Sequence, residues 1–187
     1  MNDFTPISDS YWVEPGRLLA GEHPGHWDET VARRRITGLL DAGIRRFIDL
    51  SGRSDKVSAY DQLLEKICRE RGIVAEYLRL PLRENEAPRS VEDVVDVMRA
   101  ILSGLQAGER VYLHCSDGVG RTGMAVGCWL IERGLEPAAA LKELRCLFAA
   151  MNKAHLNRAT PANAAQTEWV ERWQARLQLR HTRSAPL

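Results

Sequence analysis

A ten-residue segment decides how this chain can be interpreted. Its sequence is His114-Cys-Ser-Asp-Gly-Val-Gly-Arg-Thr-Gly123, and it lies between an apolar run at residues 111–114 and a predicted helix at residues 121–133. Three glycines within these ten residues allow the backbone to turn tightly and to direct several N–H groups toward one point. Because helix N-termini attract negative charge, we expect an anion-binding loop here.

Strands and helices alternate along the rest of the chain. Predicted strands cover residues 17–20, 44–50, 75–80 and 111–114, and predicted helices cover residues 28–42, 55–71, 90–108, 121–133, 137–151 and 164–179. This order predicts an α/β fold with a central, mostly parallel mixed sheet flanked by helices. We expect one domain over residues 1–179 and a flexible tail at residues 180–187. Ligands of such folds bind where strands end and helices begin, which is where the ten-residue segment lies.

Composition excludes several classes of protein. The chain has 187 residues, 27% of them charged, with 26 Lys+Arg against 25 Asp+Glu and a net charge of +1, so neither nucleic acid nor a membrane surface is an expected partner. No stretch approaches the roughly 18 apolar residues of a membrane span, and the N-terminus lacks a secretory pattern. The four cysteines form no Cys-x-x-Cys pair. We expect free thiols and a cytoplasmic location.

Two familiar phosphate-binding patterns fit the segment poorly. Gly118, Gly120 and Gly123 satisfy the dinucleotide pattern G-x-G-x-x-G, but that pattern needs a following strand with an acidic end about 20 residues on. The corresponding residues 137–151 are predicted to be helical. A nucleoside-triphosphate loop requires Gly-Lys-Ser/Thr, which is absent.

The pattern Cys-x5-Arg-Thr favours phosphoryl transfer. A thiolate at Cys115 would be stabilised by the helix N-terminus and by loop amides, and the same amides would hold phosphate oxygens. Arg121 can bind two of those oxygens as a fork, and Thr122 can donate its hydroxyl to the sulfur. The alternative is an inert cysteine that ends a core strand. We predict that Ser116, Asp117, Gly118, Val119, Gly120 and Arg121 bind the phosphate through the backbone N–H groups of the loop and the guanidinium of Arg121.

These residues resemble the signature His-Cys-x5-Arg-Thr-Gly of the cysteine-dependent protein tyrosine and dual-specificity phosphatases. Residues 11–25, 47–50 and 160–166 are also similar to segments of compact bacterial members. The resemblance implies a cysteine phosphatase-like fold with the phosphate loop between a strand and a helix. It further implies a two-step reaction through a phosphocysteine at Cys115, with neither a metal nor a cofactor.

The chain departs from that family at the general acid. The family usually carries an Asp on a loop about 30 residues before the cysteine, where it protonates the leaving oxygen. Here the matching residues 80–88 contain no Asp, and Glu84 lies 31 residues before Cys115, with Glu86 two residues further on. We predict Glu84 as the acid, since its acidity is similar to that of Asp. The alternative is that both are solvated loop charges.

Asp117 is the second departure, because the family usually has a small residue at this position. The same Cys-Ser-Asp-Gly start occurs in the myotubularin-like phosphoinositide phosphatases. Asp117 could be an acid within the loop, could contact a polyhydroxylated or cationic group of the substrate, or could only occupy the loop rim; we expect the rim.

Two other residues, Cys68 and Gln166, have weaker claims to a role. Cys68 could form a protective disulfide with Cys115, although a single helical cysteine is more often a core residue, as we expect for Cys128 and Cys146. The resemblance places Gln166 as a water-positioning or packing residue.

The sequence therefore predicts a metal-independent phosphomonoester hydrolase of the protein tyrosine or dual-specificity type, acting on a phosphorylated protein. The alternatives are a phosphoinositide or inositol phosphate phosphatase, which would act on a phosphorylated lipid or small molecule, and a catalytically impaired phosphate-binding pseudophosphatase. The oligomeric state stays open.

Overall fold

The described residues 5–53, 55–156 and 159–184 of the computed structural model contain a five-stranded sheet flanked by helices. The strands are β1 (Ser10–Glu14), β2 (Leu18–Gly21), β3 (Ile44–Asp49), β4 (Glu76–Arg79) and β5 (Arg110–His114). Their order in the sheet is β1-β2-β5-β3-β4, with β1 antiparallel to β2 and the other pairs parallel. The predicted α/β fold with a mostly parallel mixed sheet is confirmed.

The helices cover both faces of the sheet. They are α1 (Glu29–Asp41), α2 (Asp61–Arg71), α3 (Val91–Gln106), α4 (Gly120–Glu132), α5 (Pro137–Phe148), α6 (Ala164–Glu171) and α7 (Trp173–Ser184), with a 3₁₀ turn at Asn152–Leu156. Successive side chains of a strand point to opposite faces, so Leu113 of β5 packs with α3 and α4, whereas Tyr112 packs with α1 and α2. No helix of the described part of the chain is long and apolar enough to cross a membrane.

A capping box is present at the start of α3. The Asp93 backbone N–H donates to the Ser90 hydroxyl at 3.2 Å, and the Ser90 N–H donates to the Asp93 carboxylate at 3.1 Å. Two of the four backbone N–H groups that lack intrahelical partners are thereby satisfied, which fixes where α3 begins after the 81–89 segment.

Two predicted helix boundaries were wrong. Helix α2 begins at Asp61 rather than at residue 55, because Tyr60 enters the core beneath the sheet and ends the preceding extended segment. The last predicted helix is divided at Arg172 into α6 and α7, and α7 continues to Ser184. An ion pair of 2.5 Å between Arg180 and Glu92 of α3 extends the contacts of α7 past residue 179. Residues 185–187 of the predicted tail lie outside the described residues.

Candidate active site

The connection between β5 and α4 forms a tight loop, here called the cysteine loop (residues 115–122). Cys115 directly follows β5 and is buried. Gly118 has a φ of +73°, and a Cβ there would lie 2.5 Å from the carbonyl carbon of Gly21 and 2.8 Å from the Glu22 nitrogen. The loop can therefore turn against the end of β2 only with glycine at this position.

The segment before α6 supports the loop from the opposite side. The Thr160 hydroxyl donates to the Val119 carbonyl at 2.9 Å. Gln166 is buried against Gly120, where a Cβ would lie 3.0 Å from the Gln166 Oε1. Its Oε1 accepts a hydrogen bond from the Ala162 N–H at 3.2 Å, whereas its Nε2 has no partner among the described residues. Gln166 thus packs on the loop and retains a free amide donor beside it.

The Arg121 side chain is only 3% exposed and is held from several directions. Its Nη1 forms an ion pair with Asp55 at 2.6 Å and donates to the carbonyls of Leu82 at 3.3 Å and Leu50 at 3.4 Å. Its Nη2 donates to the Ser116 hydroxyl at 2.8 Å. Burial by itself would lower the pKa of Arg121, but the electrostatic interactions with Cys115 and with Asp55 outweigh it and raise the pKa. Arg121 is therefore a fixed cation beside the thiol.

Asp55 is a residue of this site that the sequence analysis missed. It lies in the β3–α2 connection, in residues that were assigned to a helix, and the Ser116 hydroxyl donates to its carboxylate at 2.8 Å. One available signal was the run Ser51-Gly52, which follows a buried strand and is typical of a loop at the carboxyl end of a sheet.

Asp117 points into the loop and not only along its rim. Its Oδ1 accepts a hydrogen bond from the Val119 N–H at 3.2 Å and lies 3.8 Å from the Cys115 sulfur, which donates to it. The Lys153 ammonium donates to the Asp117 backbone carbonyl at 3.1 Å and pairs with Glu22 at 2.7 Å. The Val119 N–H is a donor that a bound phosphate would also use. Its hydrogen bond holds the Asp117 carboxylate on the inner side of the loop.

Thr122 lies in the first turn of α4 and is fully buried. Its hydroxyl has no hydrogen-bond partner within the described part of the chain. A buried hydroxyl with a free proton is what a donor to a thiolate requires.

Glu84 and Glu86 line a cleft of about 610 Å³ that Asp55 and Leu82 also line, and they differ in their partners. The Glu84 side chain is 56% exposed, and its carboxylate lies 3.9 Å from the Arg121 Nη2. Glu86 instead forms an ion pair with Arg83 at 2.6 Å. The structure thus brings Glu84 to the cysteine loop and holds Glu86 on a neighbouring arginine.

A polar network lies beneath the loop. His114 contacts the Tyr60 hydroxyl at 2.7 Å, and its Nδ1 lies 3.8 Å from Asp49, while the His23 Nε2 lies 3.9 Å from the same carboxylate. Burial lowers the pKa of both histidines, that of His114 to about 3, so both are neutral.

Among the described residues, the buried side chains of His23, Asp49 and His114 form a group that could offer ligands to a metal ion. However, the His23 Nδ1 accepts a hydrogen bond from the Gly25 N–H at 3.0 Å, so its Nε2 carries the proton and points it at Asp49. Asp49 also accepts hydrogen bonds from Ser51 and from the Tyr77 hydroxyl. This arrangement suits a hydrogen-bonded support of the loop better than a metal site.

The other three cysteines differ in their surroundings. Cys68 belongs to the core on the α1–α2 face of the sheet, whereas Cys115 belongs to the core on the other face. Cys128 is buried in α4, as expected. The core prediction for Cys146 was wrong, because this α5 residue faces solvent. The placement of Cys68 gives no support to a disulfide with Cys115.

Comparison with known structures agrees with the architecture. The chain superposes on Tk-PTP in the active form with a TM-score of 0.67 and 22% identity, covering 90% of this chain and 97% of that one. Kinase associated phosphatase (KAP), with its catalytic-site cysteine changed to serine, gives a TM-score of 0.68 and 17% identity over 93% and 97%. PTPMT1 in complex with PI(5)P gives 0.66 and 16% over 92% and 98%. At these identities the likeness establishes the fold.

Sequence comparison identifies a relative and a family. The chain is 26% identical over 162 residues to "Putative tyrosine phosphatase 067L" of Invertebrate iridescent virus 3, which covers 84% of this chain and 56% of the viral protein. The chain thus spans little more than half the length of that curated relative. Residues 8–173 match the family described as "Swiss Army Knife protein, DSP-PTPase phosphatase domain" (PTP-SAK). The match includes both the sheet and the cysteine loop, and the chain belongs to this phosphatase family.

Proposed function

We propose that this chain is a phosphomonoester hydrolase of the protein tyrosine or dual-specificity type that works through a phosphocysteine at Cys115. The observation that carries the proposal is that the buried thiol of Cys115 and the buried guanidinium of Arg121 lie in the same loop, at the junction of β5 and α4. The two groups supply a nucleophile and a fork for phosphate oxygens within one loop.

The first step uses Cys115, Arg121 and Glu84. The Cys115 thiolate attacks phosphorus, the bond from phosphorus to the leaving oxygen breaks, and the carboxylic acid of Glu84 gives its proton to that oxygen. Arg121 and the amides of residues 116–120 bind the three remaining oxygens, where negative charge accumulates. The 3.9 Å separation of Glu84 from the Arg121 Nη2 supports this role.

The second step regenerates the thiolate. The Glu84 carboxylate takes a proton from water, the water oxygen attacks phosphorus, and the sulfur–phosphorus bond breaks. The buried hydroxyl of Thr122 donates to the departing sulfur and makes it a better leaving group. No metal or cofactor takes part in this scheme. Because a reduced thiol is required, we place the protein in a reducing compartment such as the cytoplasm.

A phosphoinositide or inositol phosphate is a second candidate for the substrate, favoured by the inward orientation of Asp117 within Cys-Ser-Asp-Gly. Parallel assays on a phosphotyrosine peptide and on vesicles containing a phosphatidylinositol phosphate separate the two substrates. Faster turnover of the peptide supports a phosphorylated protein as the natural substrate.

The test of the mechanism compares the wild-type chain with Cys115→Ser and with Cys146→Ser, which changes an exposed cysteine. We expect p-nitrophenyl phosphate hydrolysis by wild type and Cys146→Ser, none by Cys115→Ser, and a phosphate adduct on Cys115 by intact-mass analysis of quenched wild-type protein. Equal rates for wild type and Cys115→Ser would refute the mechanism. Phosphate binding without turnover of any substrate would identify a pseudophosphatase.

A further inference from the structure

Asp55 is a buried carboxylate whose contacts belong to the cysteine loop. Its side chain is 3% exposed, and one oxygen, Oδ2, receives both the Arg121 Nη1 at 2.6 Å and the Ser116 hydroxyl at 2.8 Å. An ionised carboxylate at this depth requires charged or hydrogen-bonding partners, and the loop provides them.

The contacts of Asp55 form a closed triangle. The Arg121 Nη2 donates a hydrogen bond to the Ser116 oxygen at 2.8 Å, and the Ser116 hydroxyl in turn donates a hydrogen bond to the Asp55 carboxylate. Asp55 therefore acts on both terminal nitrogens of Arg121, on one directly and on the other through Ser116. The carbonyls of Leu50 and Leu82 complete the set around Nη1.

This arrangement determines which edge of the guanidinium stays available. Nη1 is directed toward Asp55 and two carbonyls, whereas Nη2 donates one proton to Ser116, and the exposed Glu84 carboxylate lies 3.9 Å from it, beyond hydrogen-bond distance. A phosphate in the loop can then be bound by the Nε–Nη2 edge, which is the bidentate geometry that arginine offers to oxyanions.

We propose that Asp55 is the positioning residue that orients Arg121 for phosphate binding, with the Ser116 hydroxyl as the link between them. The inference rests on the proposed function. Asp55 itself touches no substrate. The competing explanation is that Asp55 occupies the phosphate position and must leave before substrate binds, and it makes the opposite prediction for anion affinity.

The experiment uses Asp55→Asn, Asp55→Glu and Ser116→Ala, with Asp61→Asn as the matched control on the exposed first turn of α2. We expect Asp55→Asn to lower kcat/KM about 10- to 100-fold, since small displacements of a positioned group have effects of that size. It should also weaken the affinity for tungstate, measured by calorimetry. Asp55→Glu should recover part of both quantities, and Asp61→Asn should match wild type.

Three measurements separate a positioning role from a structural one. Thermal unfolding reports whether Asp55→Asn is folded, and Asp55→Glu restores the charge if it is not. The double variant Asp55→Asn/Ser116→Ala should lose less activity than the product of the two single losses, because both act on Arg121. Unchanged kcat/KM and tungstate affinity in Asp55→Asn would overturn the proposal, as would tighter tungstate binding. Failure of the wild type to hydrolyse or to bind would instead refute the proposed function.

Discussion

The carboxylate of Asp117 and the sulfur of Cys115 face each other at 3.8 Å inside the cysteine loop. The same carboxylate accepts the Val119 N–H, an amide that a phosphate would need. A bound phosphoryl group therefore meets a negative charge at close range and competes with it for a donor.

Neutralising that carboxylate should tighten the binding of oxyanions. We expect Asp117→Asn to bind tungstate about fivefold more tightly or better, since two unit charges about 4 Å apart repel by about 1 kcal/mol even in water. Calorimetric titration of the variant and the wild type measures the change. Weaker binding by Asp117→Asn would show that the carboxylate assists anion binding.

Glu84 and Glu86 provide a matched pair for the general acid. We expect Glu84→Gln to slow hydrolysis of an alkyl phosphate about 100-fold or more, because a poor leaving oxygen needs a proton as its bond breaks. A nitrophenyl phosphate should be affected much less. Glu86→Gln removes the partner of Arg83 and should leave both rates near wild type. Equal losses in the two variants would place the acid elsewhere.

Gly118 should be sensitive to any side chain. We expect Gly118→Ala to lower the free energy of unfolding by roughly 2–5 kcal/mol, from the positive φ together with the contact with Gly21. Gly134 also has a positive φ, of +99°, but nothing lies within 4 Å of its added Cβ. Gly134→Ala should show the backbone cost alone, and denaturant unfolding of both variants gives the difference. Equal losses of unfolding free energy in the two variants would mean that the end of β2 shifts to make room for the new methyl group.

The buried neutral histidines predict a loss of stability in acid. The pKa of His114 falls from 6.5 to about 3 on folding, so below pH 6.5 the unfolded chain binds a proton that the folded chain does not. Stability is complete above pH 6.5 and declines as the pH drops toward 3, by at most about 1.4 kcal/mol per pH unit for one histidine. Unfolding free energies between pH 6 and pH 5 should fall less steeply in His114→Asn than in wild type. His155→Asn, at an exposed position, should keep the wild-type slope.

The sequence allowed the overall architecture to be predicted because hydrophobic patterns are local. The alternation of strands and helices and the glycines of the cysteine loop each depend on neighbouring residues. Strand β1 was missed because it is a short antiparallel edge strand before the Pro15-Gly16 turn. Its five residues carry too few alternations to establish a period.

Asp55 could not be predicted for a different reason. The apolar positions Leu63, Leu64 and Ile67 establish α2, but they do not determine where the helix begins, and Asp55 was joined to it. Its contact partner, Arg121, is far away in the sequence. The two residues meet only because β3 and β5 pair in the sheet. The inward orientation of Asp117 likewise depends on the turn at Gly118, which residue identity alone does not specify.

The carbonyls of Leu50 and Leu82 that hold Arg121 have a consequence for protein engineering. Leu50 directly follows β3 and Leu82 lies just beyond β4, so Arg121 is oriented by the ends of two neighbouring strands. The eight residues from Cys115 to Thr122 are consequently not a portable unit. Transplanted into another strand–helix junction they would carry the thiol and the amides but leave the guanidinium without its anchors, so a functional graft has to bring the strand ends with it.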